Sequence, residues 1–347
     1  MNSYIIASTR KNAGKTSLLA GIARASGKRF GYLKPLGDRF LYRKKRLWDY
    51  DASLLVRLFG LDEEPEAVSI GFDHSKLRYM YDRDSITAKL KELIDTVGKD
   101  KEALFIEAGK GLAFGASVYL DPLTVSHATG MKVVIVAGGE EDEIADDLAF
   151  LKRFISAEEA HVGGVIINKV KKPADFKATH LEEIKQLGIP VFGIVPYEPE
   201  LMTLSVSTVA EKLFARVIAG EGGLNRTIRN VLVGAMSVGS ALGNPAFSKP
   251  DKLIITPGDR SDMILAALDA GGTSCILLTN NIVPPANVIT RATEQGVPLL
   301  LVPHDTYTTA MQVDRIEPLL TPADEDKVTL ITRLVKENVD LDALGSL

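Results

Sequence analysis

Short unbroken runs of Val, Ile, Leu and Phe alternate along this chain with stretches whose apolar residues recur every three or four positions. The short runs predict strands at 4–8, 31–34, 103–107, 132–137, 164–168 and 191–195. The periodic stretches predict helices at 16–26, 52–58, 86–97, 144–154, 181–187 and 206–218. Strands with no polar alternation are buried on both faces. Strands that alternate with helices join by right-handed crossovers into an α/β fold with a mainly parallel sheet and flanking helices. The rhythm breaks at Gly220-Glu221-Gly222-Gly223-Leu224-Asn225, a turn-rich run that reads as a linker. Two domains follow, 1–222 and a smaller one at 223–347. In the second, strands are predicted at 231–235, 252–255, 274–278 and 299–302, and helices at 261–270, 285–294 and 308–316. A last helical pattern runs from 322 to 336, with Asp324 and Glu325 early, as the helix dipole prefers.

Composition narrows the function classes. With 46% hydrophobic and 25% charged residues, the 347-residue chain can bury ordinary cores. A net charge of −4 argues against broad nucleic-acid binding, which needs a basic surface. The charged runs 43–46 and 140–147 read as solvated faces. The single cysteine, Cys275, sits in an apolar run and reads as a buried thiol, with no disulfide or Cys-based zinc site within one chain. The five histidines show no metal-ligand spacing. No segment reaches transmembrane length, and the first strand leaves no room for a signal peptide, so a cytoplasmic protein without membrane partners is expected.

The chemistry begins between the first predicted strand and the first predicted helix, at Ser8-Thr9-Arg10-Lys11-Asn12-Ala13-Gly14-Lys15-Thr16-Ser17. Strand, Gly-Lys-Thr loop and helix form the layout of a phosphate-binding loop. Backbone N–H groups over Asn12, Ala13, Gly14, Lys15, Thr16 and Ser17 cradle phosphate oxygens, aided by the positive end of the helix. In such a loop Lys15 would reach the β- and γ-phosphates and the Thr16 hydroxyl would sit on Mg²⁺; the alternative is a Gly-Lys turn that merely opens a helix. The strict motif asks for Gly where Thr9 stands, so context carries the reading.

Other polar residues close predicted strands, where open α/β sheets bind ligands. Lys34-Pro35 ends the second strand, as a lysine for an anion or as a plain loop start. In Asp49-Tyr50-Asp51-Ala52, Asp51 fits a helix N-cap, and also fits a carboxylate on a phosphate-bound Mg²⁺. Glu107 ends a strand beside Ala108-Gly109-Lys110-Gly111 and suits a metal or a positioned water. Asn168 suits either an adenine edge or a turn.

In this order the stretches resemble the dethiobiotin synthetase-like branch of the P-loop proteins, whose loop reads Gly-Thr-Asp-Thr-Glu-Val-Gly-Lys-Thr. Residues 8–16 fall on it without a gap, and Thr9 matches its Thr. The resemblance runs to about residue 220. It implies that Lys34 is a substrate-side lysine, that Asp51 and Glu107 are Mg²⁺ carboxylates, and that Asn168 and Pro196, in Ile194-Val195-Pro196-Tyr197, lie near adenine. Arg10 departs from the branch, standing where dethiobiotin synthetases carry Asp and wider relatives carry a signature lysine. An arginine there suits phosphates in its own or a partner subunit and the charge of a transition state. Lys110 in the loop after Glu107 departs as well, and a cationic loop suits an anion better than a diamine carbamate.

Residues 230 to about 318 resemble the DRTGG domain, through Gly234-Ala235-Met236-Ser237, Pro257-Gly258-Asp259-Arg260, Thr279-Asn280-Asn281 and His304-Asp305-Thr306. The family often has Thr-Gly-Gly where this chain has Thr279-Asn280-Asn281, and asparagine tolerates the left-handed turn. The same pairing of domains occurs in the N-terminal portion of long bacterial phosphotransacetylases. No stretch here is long enough for their catalytic domain, so phosphotransacetylase activity is not expected.

Together these implications give a Mg-ATP-binding protein of sensory or regulatory kind, with slow ATP hydrolysis. The DRTGG-like domain serves dimerisation or a small-molecule ligand, and a homodimer is expected. The alternative is an ATP-dependent ligase that phosphorylates a carboxylate or carbamate, with Lys15, Lys34 and Mg²⁺ stabilising the transferring group.

Overall fold

The structure is a computed structural model that describes residues 2–43, 45–158 and 161–345. Lys44, in the basic run 43–46, lies outside the described residues. The chain divides into two compact units, 1–198 with 320–347, and 199–319.

The first unit is built on a six-stranded sheet. In chain order its strands are β1 (Asn2–Ser8), β2 (Phe30–Leu33), an antiparallel hairpin β3 (Phe40–Arg43) and β4 (Arg46–Asp49) outside the sheet, then β5 (Ala103–Glu107), β6 (Lys132–Ala137), β7 (Val162–Val170) and β8 (Val191–Pro196). The sheet order is β2-β5-β1-β6-β7-β8, parallel throughout. All six strands expected from the apolar runs are present. The helices are α1 (Lys15–Ser26), α2 (Tyr50–Phe59), α3 (His74–Met80), α4 (Arg83–Gly98), α5 (Pro122–Thr129), α6 (Glu141–Glu158), α7 (Pro173–Thr179) and α8 (Leu181–Gln186). Their ends follow local chemistry. Asp82 and Ser85 cap α4 reciprocally, and Asp121 with Pro122 opens α5, which Gly130 closes in the left-handed conformation.

Two sequence expectations fail at the boundary. The Gly220–Asn225 run is no linker; it lies inside the second unit. A Cβ on Gly220 would stand 2.3 Å from the Val297 carbonyl oxygen, so this glycine serves close backbone approach. The helical pattern at 322–336 forms the helix Glu325–Asn338, but it belongs to the first unit, not the second. It packs on α1 at Gly21, where a Cβ would come within 2.9 Å of Val335 Cγ2, and Arg24 pairs with Glu325 at 2.5 Å.

The second unit holds a five-stranded sheet in the order Arg216–Ala219, Leu299–Leu301, Thr273–Thr279, Lys252–Pro257, Asn230–Val233. The four expected strands are present and parallel, and Arg216–Ala219 adds an antiparallel edge. The helix expected at 206–218 therefore stops early, at Lys212, and the chain turns at left-handed Phe214 into that edge strand. Asn280 and Asn281 are left-handed, at φ 61° and 54°, as the turn requires. One apolar cluster covers each face of the sheet. Cys275 sits in one of them, fully buried, and burial pushes its thiol well above the ordinary range. Thiol-reactive reagents are therefore expected to leave the native chain unlabelled and to modify one thiol in denaturant, as a colorimetric thiol titration reads. Among the described residues no helix is long and apolar enough to cross a membrane.

Candidate nucleotide-binding site

Parallel strands deliver their carboxyl ends to one edge, and there the chain gathers its polar residues. β1 ends at buried Ser8, and the loop from Thr9 to Gly14 turns into α1. Asn12 and Gly14 are left-handed, at φ 64° and 96°, a backbone that turns successive N–H groups towards one anion. Lys15 and Thr16 open the helix and are buried. Lys15 Nζ donates to Ser8 Oγ at 3.1 Å. Burial lowers its pKa, with Glu107 opposing that shift.

Thr16 Oγ1 donates to Glu107 Oε1 at 2.8 Å, and Tyr32 Oη donates to Glu107 Oε2 at 2.8 Å. Glu107 is 1% exposed, so it is no solvent-facing strand end. Burial raises its pKa, against the pull of Lys34. Lys34, also 1% exposed, lies 2.8 Å from Asp38, 3.5 Å from Asp49 and 3.9 Å from Glu107, and closest to Asp51, to which it donates. Burial alone would depress this ammonium; Asp51, Glu107, Asp49 and Asp38 outweigh it and hold the pKa well above the usual lysine value. Burial works against the Asp51 carboxylate too, yet Lys34 and Arg39 pull its pKa below the usual range.

The expected helix cap shifts by two residues. Asp49 is the N-cap of α2, accepting from the N–H groups of Asp51 at 2.9 Å and Ala52 at 3.1 Å. Its second oxygen accepts from the N–H groups of Asp38 and Arg39. Asp51 stands inside the helix, its side chain released from capping. Arg39 joins the cluster to the loop, donating to Asp51 Oδ1 at 3.2 Å and to Asn12 Oδ1 at 2.8 Å.

Asn168 and Lys169 reach the loop from β7. Asn168 Nδ2 donates to the Ala13 carbonyl at 2.8 Å, and Lys169 Nζ donates to the Asn12 carbonyl at 2.8 Å. Pro196 ends β8 in register with Val170, and the Tyr197 N–H donates to the Val170 carbonyl. Arg10 turns towards α6. Its Nε donates to Asp147 Oδ2 at 2.7 Å and Nη1 pairs with Glu143 Oε1 at 2.5 Å, and both partners raise its pKa. The acidic run 140–147 is thus partly an arginine clamp rather than only a solvated face.

A family profile described as an AAA domain matches residues 2–205, more than half of the chain. The chain belongs to this AAA-domain family. A DRTGG domain matches residues 208–316. Curated relatives include phosphate acetyltransferases of Nitratidesulfovibrio vulgaris, 25% identical over 99% of this chain and 51% of that protein, and of Pseudomonas aeruginosa, 24% identical over 99% and 52%. The chain spans about half the length of these relatives. Among solved structures, the MinD cell division protein of Aquifex aeolicus is 17% identical over 58% of this chain and 84% of that one, with a TM-score of 0.36. The CBS and DRTGG domains of Clostridium perfringens pyrophosphatase are 19% identical over 34% and 48%, with a TM-score of 0.28.

Within the AAA domain, one edge brings together Lys15, Thr16, Lys34, Asp51 and Glu107, and hangs Asn168 on the same loop. Sequence reasoning missed Ser8, Tyr32, Asp38, Arg39, Asp49, Glu143 and Asp147. Only Asp49 carried a signal, an Asp immediately before a helical pattern. The loop itself offers a direct test. A Cβ on Gly14 would stand 2.4 Å from Asn168 Nδ2, at a φ that disfavours any side chain. Gly14→Ala is expected to cost about 1–3 kcal/mol of stability, read by denaturant titration, and to weaken nucleotide binding with it.

Proposed function

We propose that the AAA domain binds Mg-ATP and that the chain acts as a sensor or regulator that turns ATP over slowly. The observation that carries this reading is the contact between Thr16 and Glu107, buried at the end of a left-handed glycine loop. A hydroxyl and a carboxylate at hydrogen-bond distance are the hard oxygen donors that Mg²⁺ takes beside phosphate oxygens. Their chemistry and the Gly14 cradle fit both ion and nucleotide. Thr16, Glu107 and Asp51 would hold the ion, and the N–H groups of Asn12 to Ser17 with Lys15 would hold the phosphates. When bound, Mg²⁺ would neutralise charge on the phosphate oxygens. Asn168 gives one of its two amide N–H groups to Ala13 and keeps Oδ1 for the base, and Pro196, whose strand partner is Val170, would complete that side.

Two features favour slow turnover. Lys34 has its charge met by Asp51, Asp38, Asp49 and Glu107, and Arg10 is held by Glu143 and Asp147. The DRTGG domain supplies regulation or pairing of two copies, and a homodimer is part of the proposal. A ligase is the second reading, favoured by Lys34 lying within one cluster with both Asp51 and Glu107. Phosphate release decides between them. Slow release unaffected by added carboxylates or amines is expected; fast release that depends on such a substrate would replace the sensor with the ligase.

A further inference from the structure

An open cavity of about 460 Å³ lies in the first unit, between the segment that links β5 to α5, the start of α4, and residues of α5 and α6. Leu112, Ala116, Tyr119, Leu123 and Leu151 line it with apolar surface, and Arg83, at the start of α4, stands at its edge. The segment has an unusual backbone. Gly115 is left-handed at φ 96°, and a Cβ there would stand 2.8 Å from the Leu120 carbonyl carbon. Tyr119 is left-handed too, at φ 57°, uncommon for a bulky residue. That backbone sets the Tyr119 ring under Arg83, whose guanidinium carbon lies 5.8 Å from the ring centroid.

The charges around the cavity are unevenly committed. Asp121 also lines it, but its Oδ1 accepts from the N–H groups of Leu123 and Thr124 at 3.2 and 3.0 Å and so caps α5. Asp82, beside Arg83 in sequence, caps α4 through Ser85. Arg83 has no ion-pair partner among the described residues; its guanidinium lies over the Tyr119 ring. The volume falls in the range of small-molecule sites, which join an apolar lining to a few polar groups that fix orientation. A guanidinium laid on an aromatic ring keeps its N–H fork for a planar anion such as a carboxylate.

We propose that this cavity binds a small carboxylic acid with an apolar body, its carboxylate on Arg83 and its body against Leu112, Leu123 and Leu151. None of the residues that line it belongs to the phosphate loop, and the proposal does not depend on the nucleotide reading.

Calorimetric titration of octanoate, octylamine and octanol into the full chain, without nucleotide, tests this. Octanoate is expected to bind saturably at one site per chain and octylamine not at all. Arg83→Gln should weaken octanoate at least tenfold, to the level of octanol, and Ala116→Phe should abolish binding by filling the space. Both positions are exposed, so neither substitution disturbs the core. Lys15→Ala should leave octanoate binding unchanged, which separates a failure here from a failure of the nucleotide site. Three results would overturn the proposal: no saturable octanoate binding, octylamine binding as well as octanoate, or unchanged octanoate affinity in Arg83→Gln. Should Ala116→Phe fail to fold, Arg83→Gln decides alone.

Discussion

Replacing Lys34 by methionine is expected to lower stability by about 3–5 kcal/mol, the usual result of removing one partner from a buried ionic cluster. Lys34 is the cation that Asp51, Asp38, Asp49 and Glu107 share, and its own side chain is buried. Without it, Arg39 still pairs with Asp51, but Glu107 and Asp49, which burial already raises, lose the cation that lowers them. The rise of stability towards acid should then steepen. In the native chain Asp51 is held below the usual carboxylate range, so its contribution is present above roughly pH 4 and is lost as pH falls through its lower folded value. Lys34, raised well above its usual value, contributes fully below roughly pH 10 and loses that contribution only as pH rises through its raised value. In Lys34→Met the remaining carboxylates are costly when ionised and are relieved by protonation. Stability measured by denaturant titration should therefore rise from about pH 8 to pH 5 more steeply in the variant than in the native chain, where Lys34 offsets part of the burial that raises Glu107 and Asp49. A second change, Asp51→Asn, should restore part of the loss. A Lys34→Met protein as stable as the native one at neutral pH would show that these carboxylates are already protonated.

Lys15→Ala is expected to weaken ATP binding by about 2–3 kcal/mol, or roughly 30- to 150-fold, because it removes a charge-assisted hydrogen bond to phosphate. Stability should change little. Lys15 has one hydrogen-bond partner, Ser8, and the lost ammonium also removes a charge that burial disfavours. The two lysines thus predict opposite pairs of effects. Lys15 governs affinity with the fold intact, and Lys34 governs the fold itself. Calorimetry beside thermal unfolding separates them, and equal effects on both readouts would mean that the division between phosphate contact and buried counter-ion is misdrawn.

Much of this architecture was legible because parallel strands buried on both faces write themselves as unbroken apolar runs. That holds for Val133 to Ala137 and equally for Leu253 to Ile255. The hairpin Phe40–Arg43 and Arg46–Asp49 was not legible, since Phe40, Tyr42 and Leu47 are exposed and leave no inward-facing pattern. Arg216–Ala219 was read as helix because its apolar residues continue the spacing of Val206, Val209, Ala210 and Leu213; pairing with Leu299–Leu301, distant in sequence, overrides it. The helix Glu325–Asn338 was found, but nothing in its amphipathic stripe says which core will receive it. Strand-end residues such as Lys34, Glu107 and Asn168 were legible because a parallel sheet sends its carboxyl ends to one edge. Arg39, Glu143 and Asp147 were not, because their partners, Asn12 with Asp51 and Arg10, are brought to them only by tertiary folding.

The central proposal is that the Gly14 loop binds a Mg-nucleotide and that Thr16 and Glu107 would hold the ion. Calorimetric titration of ATP into the full chain, with Mg²⁺ and again with the metal chelated, tests it most directly. One saturable site per chain is expected with Mg²⁺, weakened by chelation, and Glu107→Gln should lose most of that metal dependence. Saturable ATP binding indifferent to Mg²⁺, or no binding at all, would contradict it.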